Sequence, residues 1–143
     1  MKKKKLIIGY TTGVFDLFHI GHLNILKKCK NLCDKLIVGV SKDNLVCKYK
    51  KKYPVIKETE RLKIVESIKY VDHAIYQSSL DKFVNFKKYK FDIMFVGDDW
   101  YNTKKWKELD KKFKLLNVKI IYLPYTKSTS STKINNILNL YRK

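Results

Sequence analysis

Arginine is almost absent from this chain of 143 residues. Arg61 and Arg142 stand alone among 32 basic side chains, so lysine supplies nearly all of the formal net charge of +19. Nucleic-acid interfaces use arginine for forked contacts to phosphates and guanine edges, so this composition argues against a specific nucleic-acid partner. A lysine-rich surface still attracts small anions such as nucleoside triphosphates. The alternative is that most of the lysines only form a solvated surface.

Long apolar runs are missing as well. No stretch approaches the roughly 18 apolar residues that cross a bilayer, and the apolar run near the start ends at Gly9, too early for a secretory signal. We therefore expect no membrane insertion. Cysteine is scarce: Cys29 and Cys33 share a helix face, but no nearby histidine completes a zinc set. The pattern predicts free thiols in a reducing, cytoplasmic setting. The length fits one domain over residues 1–143.

Short apolar runs alternate with helical patterns along the chain. The runs are rich in β-branched and aromatic residues, as strands buried on both faces are. They predict an α/β fold, a single-domain Rossmann-like open parallel sheet of about five strands with helices on both faces. The expected strands are 6–10, 36–40, 73–77, 91–96 and 118–123, the expected helices are 23–33, 58–70, 80–86, 106–113 and 134–141, and segments 49–57 and 128–132 are expected to be flexible.

In such a fold, ligands bind beyond the carboxyl ends of the strands. The sequence has no GxGxxG, which argues against a dinucleotide fingerprint. Instead, His19 and His22 flank Gly21 at the expected start of the first helix. A helix N-terminus offers free N–H groups to a phosphate, glycine allows close approach, and imidazoles donate hydrogen bonds as charge develops. The alternative is a capped helix with incidental histidines. Two histidines at this spacing favour a phosphate site.

The segment GVFDLFHIGH at positions 13–22 resembles the HxGH motif of the cytidylyltransferase superfamily, and in particular of its glycerol-3-phosphate branch. The resemblance extends over nearly all of the chain. It includes the lysine-rich loop before Glu60 and Arg61, GDDW at 97–100, and YTKSTSSTK at 125–133, where the family reads RTEGISTT. In this order, within one small domain, the motifs are specific for the superfamily.

The resemblance assigns site residues one by one. It implies catalysis by His19, His22 and Lys50, although a gap in the loop makes the choice between Lys50 and Lys52 loose. Lys69 and Tyr125 stand where the family has arginines. The implied nucleotide-binding residues are Val14, Phe15, Ile20, Gly21, Lys52, Lys69, Asp99, Tyr125, Thr126, Ser130, Ser131 and Thr132, and the implied acceptor-binding residues are Asp16, Arg61 and Lys82.

Each segment also has an ordinary structural interpretation. The lysines at 48–52 fit a solvated loop, and Arg61 fits a weak surface pair with a glutamate. Asp99 or a hydroxyl of the final motif fits a helix cap. The chain beyond Trp100 is longer than in glycerol-3-phosphate enzymes, which leaves the acceptor open.

The resemblance implies transfer of CMP from CTP to a phosphorylated small alcohol, glycerol 3-phosphate first among them, with release of pyrophosphate. It further implies Mg²⁺ carried by the CTP, no metal held by the protein alone, and a homodimer. Three alternatives remain. The enzyme could use phosphocholine or phosphoethanolamine, it could be an adenylyltransferase of the same superfamily, or the chain could be a non-catalytic, polyanion-binding Rossmann-like module.

Overall fold

A computed structural model describes residues 4–125 and 129–141. One parallel sheet has the strand order β3-β2-β1-β4-β5, which confirms the fold predicted from the sequence. The matching expected strands differ from those of the structure by at most three residues at an end. The strands are β1 Ile8–Gly13, β2 Lys35–Ser41, β3 His73–Gln77, β4 Ile93–Gly97 and β5 Lys119–Leu123.

The sheet separates two apolar cores. Six of the seven residues of β2 are buried, because Leu36, Val38 and Val40 pack on one face and Ile37 on the other. Burial on both faces is typical of a central parallel strand. The second core is largely aromatic, and the Tyr10 and Phe91 rings are stacked with their centroids 4.5 Å apart.

Helices cover both faces of this sheet. Residues of the helices over 20–31 and 58–66 pack in the first core, and residues of the helices over 82–89 and 104–115 pack in the second. None of the helices within the described residues is long and apolar enough to span a membrane. The helices are α1 Ile20–Asn31, α2 Asp43–Lys50, α3 Glu58–Glu66, α4 Lys82–Tyr89, a 3-10 turn Asp98–Trp100, α5 Lys104–Leu115 and α6 Ser131–Tyr141.

Two helical expectations were wrong. The sequence pattern missed α2, whose end lies in the segment expected to be flexible, because this helix has only eight residues and buries only Val46. The helix expected over 58–70 stops at Glu66, where the Ser67 N–H caps the carbonyls of Lys63 and Ile64. The strand order reverses between β1 and β4. The carboxyl ends of these two strands, together with the start of α1, therefore position the site.

The cysteines agree with the expectation of free thiols. Cys29 is buried, and Cys33 and Cys47 are half-buried, with none of the three in a disulfide.

Candidate active site

A cleft of about 520 Å³ opens at the carboxyl ends of β1 and β4, at the point where the strand order reverses. Its walls come from the β1–α1 loop, the end of α2, the turn after β4 and the start of α6. The sequence-predicted residues that line it are Val14, Phe15, Asp16, His22, Lys50, Lys52, Lys82, Asp99, Tyr125, Ser131 and Thr132. Segments far apart in the sequence therefore meet at one cleft.

The two histidines cap α1 reciprocally. The Gly21 N–H donates to Nδ1 of His19 at 3.0 Å, and the His19 N–H donates to Nδ1 of His22 at 3.2 Å. The two rings stack with centroids 3.9 Å apart. Because a neutral imidazole has one N–H, a ring that accepts at Nδ1 carries its proton on Nε2. Capping and phosphate binding are thus compatible: the cap uses Nδ1 and leaves an Nε2–H donor on the other side of each ring.

Both imidazoles are neutral at neutral pH. Burial, chiefly, and the neighbouring His19 lower the pKa of His22 to about 4, with a smaller opposing effect from Asp16. Burial also lowers the pKa of His19. Phe15 and Phe18 pack against the His22 ring, with centroids 5.4 and 5.2 Å away. The site therefore presents hydrogen-bond donors that are fixed in orientation and carry no full charge.

Gly21 is required by the stacked rings. A Cβ at this position would lie 2.8 Å from Cε1 and 3.0 Å from Nδ1 of His19, and 3.4 Å from the Thr129 carbonyl oxygen. The two contacts with the His19 ring are shorter than van der Waals distance, so a side chain would displace that ring.

Arg61, which the resemblance assigns to the acceptor, is buried and holds the protein backbone together. Its side chain is 1% exposed, and its guanidinium donates to the carbonyl oxygens of Ile56, Val14 and Ser41. It also pairs with Asp43 at 2.5 Å. With its donors directed at these protein oxygens, Arg61 joins the β1–α1 loop, the end of β2 and the segment before α3.

Asp16 lines the cleft but uses both carboxylate oxygens on the backbone. They accept the N–H groups of Val55 and Ile56 at 2.8 and 2.9 Å. This pair of bonds anchors the segment between α2 and α3 at the edge of the cleft. Asp16 thus holds one wall of the cleft in place. An acceptor could use only the lone pairs of its carboxylate that the two backbone N–H groups leave free.

Four lysines of the described residues line the cleft, Lys50, Lys52, Lys82 and Lys105, and their surroundings differ. Burial, and then the nearby Lys52, lower the pKa of Lys50. Lys82 is half-buried at the start of α4, donates to Oγ1 of Thr12 at 3.3 Å, and lies 6.0 Å from the centroid of the Trp106 ring. Burial, and secondarily Lys105, lower the pKa of Lys82 to about 8. These amines give the cleft its positive charge.

Tyr125 packs directly on the turn after β4. A Cβ on Gly97 would lie 2.1 Å from the Tyr125 hydroxyl oxygen and 2.5 Å from its Cζ, so a side chain at this position would displace the phenol. Burial, and then the carboxylates of Asp99 and Asp98, raise the pKa of Tyr125, which keeps the phenol protonated. A neutral hydroxyl therefore stands where the family pattern has a guanidinium.

The final motif is divided between capping and the cleft. The Ser130 hydroxyl accepts the Lys133 N–H at 3.0 Å and caps α6, which is the ordinary interpretation considered above. The Ser131 hydroxyl donates to the Asp16 carbonyl oxygen, and Thr132 faces the cleft beside it. Thr126 falls outside the described residues.

The structure does not bring every predicted residue to the cleft wall: the described residues outside the lining are His19, Ile20, Gly21, Arg61, Lys69 and Ser130, and His19 adjoins it through its contact with His22. Ile20 is 50% exposed at the start of α1, and Gly21 supports the His19 ring from behind. Lys69, for which the resemblance implies a nucleotide contact, was expected in the helix over 58–70. The helix α3 ends before it, and its amine lies 5.2 Å from the Tyr70 ring centroid, outside the cleft lining. The helix end is the physical reason for that difference.

The sequence pattern missed other residues that line the cleft. Trp106 and Lys105, at the start of α5, belong to a weak helical pattern with no motif. Gln77 and Ser41, which hydrogen-bond each other at 2.8 Å, were hidden at the ends of two strands. In the sequence, only the position of Gln77 and Ser41 at the end of an apolar run indicated that they could reach the cleft. Among the described residues, no group of three or more potential metal ligands lies together.

Comparison with known proteins agrees with this geometry. A glycerol-3-phosphate cytidylyltransferase of Bacillus spizizenii is 37% identical over 92% of this chain and 94% of its own. A FAD synthase of Thermococcus sibiricus is 34% identical over 96% of this chain and 94% of its own. The lipopolysaccharide core biosynthesis protein of Thermoplasma volcanium superposes with a TM-score of 0.70 and 32% identity, covering 87% of this chain and all of that one.

The sequence model of one family matches residues 10–137, which run from β1 into α6 and include every segment that forms the cleft. The extent of this match and the identities above agree with the HxGH motif at the start of α1. The chain belongs to the cytidylyltransferase-like family of nucleotidyltransferases.

Proposed function

We propose that this protein transfers CMP from CTP to a phosphorylated small alcohol, glycerol 3-phosphate in the first place, and releases pyrophosphate and CDP-glycerol. The observation that carries the proposal is the reciprocal cap of His19 and His22. It fixes two neutral imidazoles side by side at the mouth of α1, each with an Nε2–H donor. Donors held in advance where charge develops stabilise a phosphoryl-transfer transition state.

In the proposed reaction, a phosphate oxygen of the acceptor attacks the α-phosphorus of CTP. The new P–O bond forms as the bond to the β-phosphate oxygen breaks, and pyrophosphate leaves with that electron pair. His19 and His22 donate to oxygens of the reacting and leaving phosphates. Lys50 bridges the acceptor and the triphosphate, and the Thr132 hydroxyl and the free N–H groups at the start of α6 contact the terminal phosphates. Mg²⁺ enters as part of the metal–CTP substrate.

Two features support the cytidylyl and glycerol phosphate choices. The tetrapeptide GDDW places Asp99 in the cleft wall, in the pattern of the cytidylyl branch. Lys82 and Lys105 line the same cleft beside Trp106. Aromatic rings can bind a quaternary ammonium, but the Lys82 amine already lies 6.0 Å from the centroid of the Trp106 ring, with Lys105 beside it in the lining, which disfavours a further cation at this ring. An acceptor with an uncharged alcohol fits better.

FAD synthesis is the second candidate. Relatives named FAD synthase are 34% identical over 96% of this chain. FAD consists of AMP and FMN joined through a pyrophosphate, so this activity would be adenylyl transfer to FMN. The same histidine pair would serve, whereas the cleft would have to accept the three-ring flavin as well as ATP. The volume of about 520 Å³ favours the smaller acceptor.

A panel of nucleotides and acceptors tests the proposal. Pyrophosphate release is measured with CTP or ATP, each with glycerol 3-phosphate, phosphocholine, phosphoethanolamine or FMN, and products are identified by mass spectrometry. We expect turnover with CTP and glycerol 3-phosphate. Release only with ATP and FMN would assign FAD synthesis, and release with no pair would favour the polyanion-binding module.

Histidine variants provide the matched control. His19→Ala and His22→Ala should each reduce kcat by about 10²–10³-fold, the typical loss for one transition-state donor. His73→Ala changes the same residue type at the exposed amino end of β3, at the opposite edge of the sheet from the cleft, and should leave kcat unchanged. Undiminished turnover in the double variant would refute the assignment. The homodimer and the cytoplasmic location stay predictions.

A further inference from the structure

The start of helix α5 contributes a lysine to the cleft lining. None of the family motifs described above contains this residue. Lys105 and Trp106, at the start of α5, line the cleft together with Lys82 from the start of α4. Lys82 donates to Thr12 at the carboxyl end of β1. The hydroxyls of Ser131 and Thr132 belong to a different wall, that of α6. The two amines therefore lie on another side of the cleft from the terminal-phosphate residues of the proposed reaction.

Within residues 4–125 and 129–141, no carboxylate forms an ion pair with Lys82 or Lys105. The adjacent Asp81 directs its carboxylate to the Phe83 N–H, at 2.9 Å, as the cap of α4. Lys105 contributes to lowering the pKa of Lys82, as two like charges brought together do. An anion between them would relieve this repulsion.

The space behind the lysine pair is mostly apolar. A smaller groove between α4 and α5 is lined by Phe83, Leu109 and Asp81, and it shares Leu80, Lys82, Lys105 and Trp106 with the main cleft. The four shared residues form the boundary between the cleft and the groove. Asp81 uses its carboxylate to cap α4, so a molecule held by its phosphate at this boundary would place its remaining part mainly against uncharged side chains.

We propose that Lys105 and Lys82 together bind the phosphate of the acceptor, and that the acceptor is a phosphomonoester whose uncharged alcohol part faces the α4–α5 groove. This inference rests on the proposed nucleotidyl transfer and adds Lys105 as a residue that determines acceptor specificity. A monoester dianion neutralises both ammonium groups, and an acceptor with a cation at its far end is repelled by them.

The test separates acceptor binding from nucleotide binding. Lys105→Gln should raise the KM for glycerol 3-phosphate about tenfold, the low end for losing a charge-assisted hydrogen bond at an exposed side chain. The KM for CTP and kcat should change by less than about twofold, because the nucleotide contacts lie on other walls. Lys105→Arg keeps the charge and should restore most of the acceptor affinity. Lys107→Gln is the matched control, since it removes the same charge from the same helix outside the cleft lining.

Direct binding distinguishes failure of this inference from failure of the proposed reaction. Glycerol 3-phosphate and inorganic phosphate are titrated by calorimetry into wild-type protein, Lys105→Gln and Lys107→Gln. If no acceptor turns over, the proposed reaction is wrong, yet weaker binding to Lys105→Gln alone would still establish the subsite. Equal behaviour of the two glutamine variants, an equal rise in the KM for CTP, or no binding of either anion to the wild-type protein would overturn the inference.

Discussion

Replacing Arg61 should unfold the protein more readily rather than weaken acceptor binding selectively. Three carbonyl oxygens and the Asp43 carboxylate accept from its buried guanidinium. Removing one member of a buried ion pair costs about 3–5 kcal/mol, because the remaining groups stay desolvated without partners. Since native domains are stable by only about 5–15 kcal/mol, Arg61→Ala should lose a large part of the free energy of unfolding.

One conservative variant and one control variant give the scale of this loss of stability. Arg61→Lys keeps the charge but cannot reach Ile56, Val14 and Ser41 with one ammonium group, so we expect an intermediate loss of about 2 kcal/mol. Lys63→Ala, an exposed position of α3, should change the free energy of unfolding by less than about 0.5 kcal/mol.

Urea denaturation followed by circular dichroism measures these differences, and steady-state kinetics on the folded fraction measures the KM for the acceptor. We expect kcat to fall in parallel with stability, because Arg61 holds segments on three sides of the cleft. A variant Arg61→Ala with unchanged stability and a selectively raised acceptor KM would refute this reasoning and restore the acceptor contact expected from the sequence.

Three further predictions follow from the same contacts. Gly21→Ala should lower kcat about 10²-fold and the free energy of unfolding by about 1 kcal/mol, because the new Cβ would lie 2.8 Å from the His19 ring and displace it. An unchanged kcat would contradict the role given to the stacked rings. For His22, the unfolded chain takes up a proton near pH 6.5 and the folded protein only near pH 4, so stability is retained above pH 6.5 and lost as the pH falls toward 4. Between pH 7 and 5 this amounts to about 1–2 kcal/mol, and His22→Gln should show a correspondingly smaller acid-induced loss in urea denaturation. Excess EDTA should abolish pyrophosphate release, reversibly on adding Mg²⁺, without shifting the melting temperature of the nucleotide-free protein; a shift would indicate a resident metal.

Local signals in the sequence predicted the fold and the core of the cleft. Apolar runs of strand length identified all five strands, because parallel strands buried on both faces have few polar residues. The HxGH segment identified the start of α1, since backbone geometry at a helix start depends on a few adjacent residues. The packing of Lys50, Asp99 and Ser131 around one cleft followed from their positions after strands or before a helix.

Long-range packing decided what local patterns could not show. Arg61 looks like a surface residue of α3 in the sequence, yet carbonyl groups from two distant segments and one nearby loop surround it in the fold. Lys69 lost its expected position because α3 ends early.

The sequence alone therefore determined the class of fold, the family motif and the chemistry available at the mouth of α1, because these depend on residues close together in the chain. Only the tertiary structure decided that Nδ1 of each histidine is used in capping, that Arg61 is structural, and that α5 brings Lys105 beside Lys82. The physical reason is that hydrogen-bond partners, burial and like-charge contacts depend on groups that are distant in the sequence and close in the fold. The spacing of these groups along the chain does not predict which of them meet.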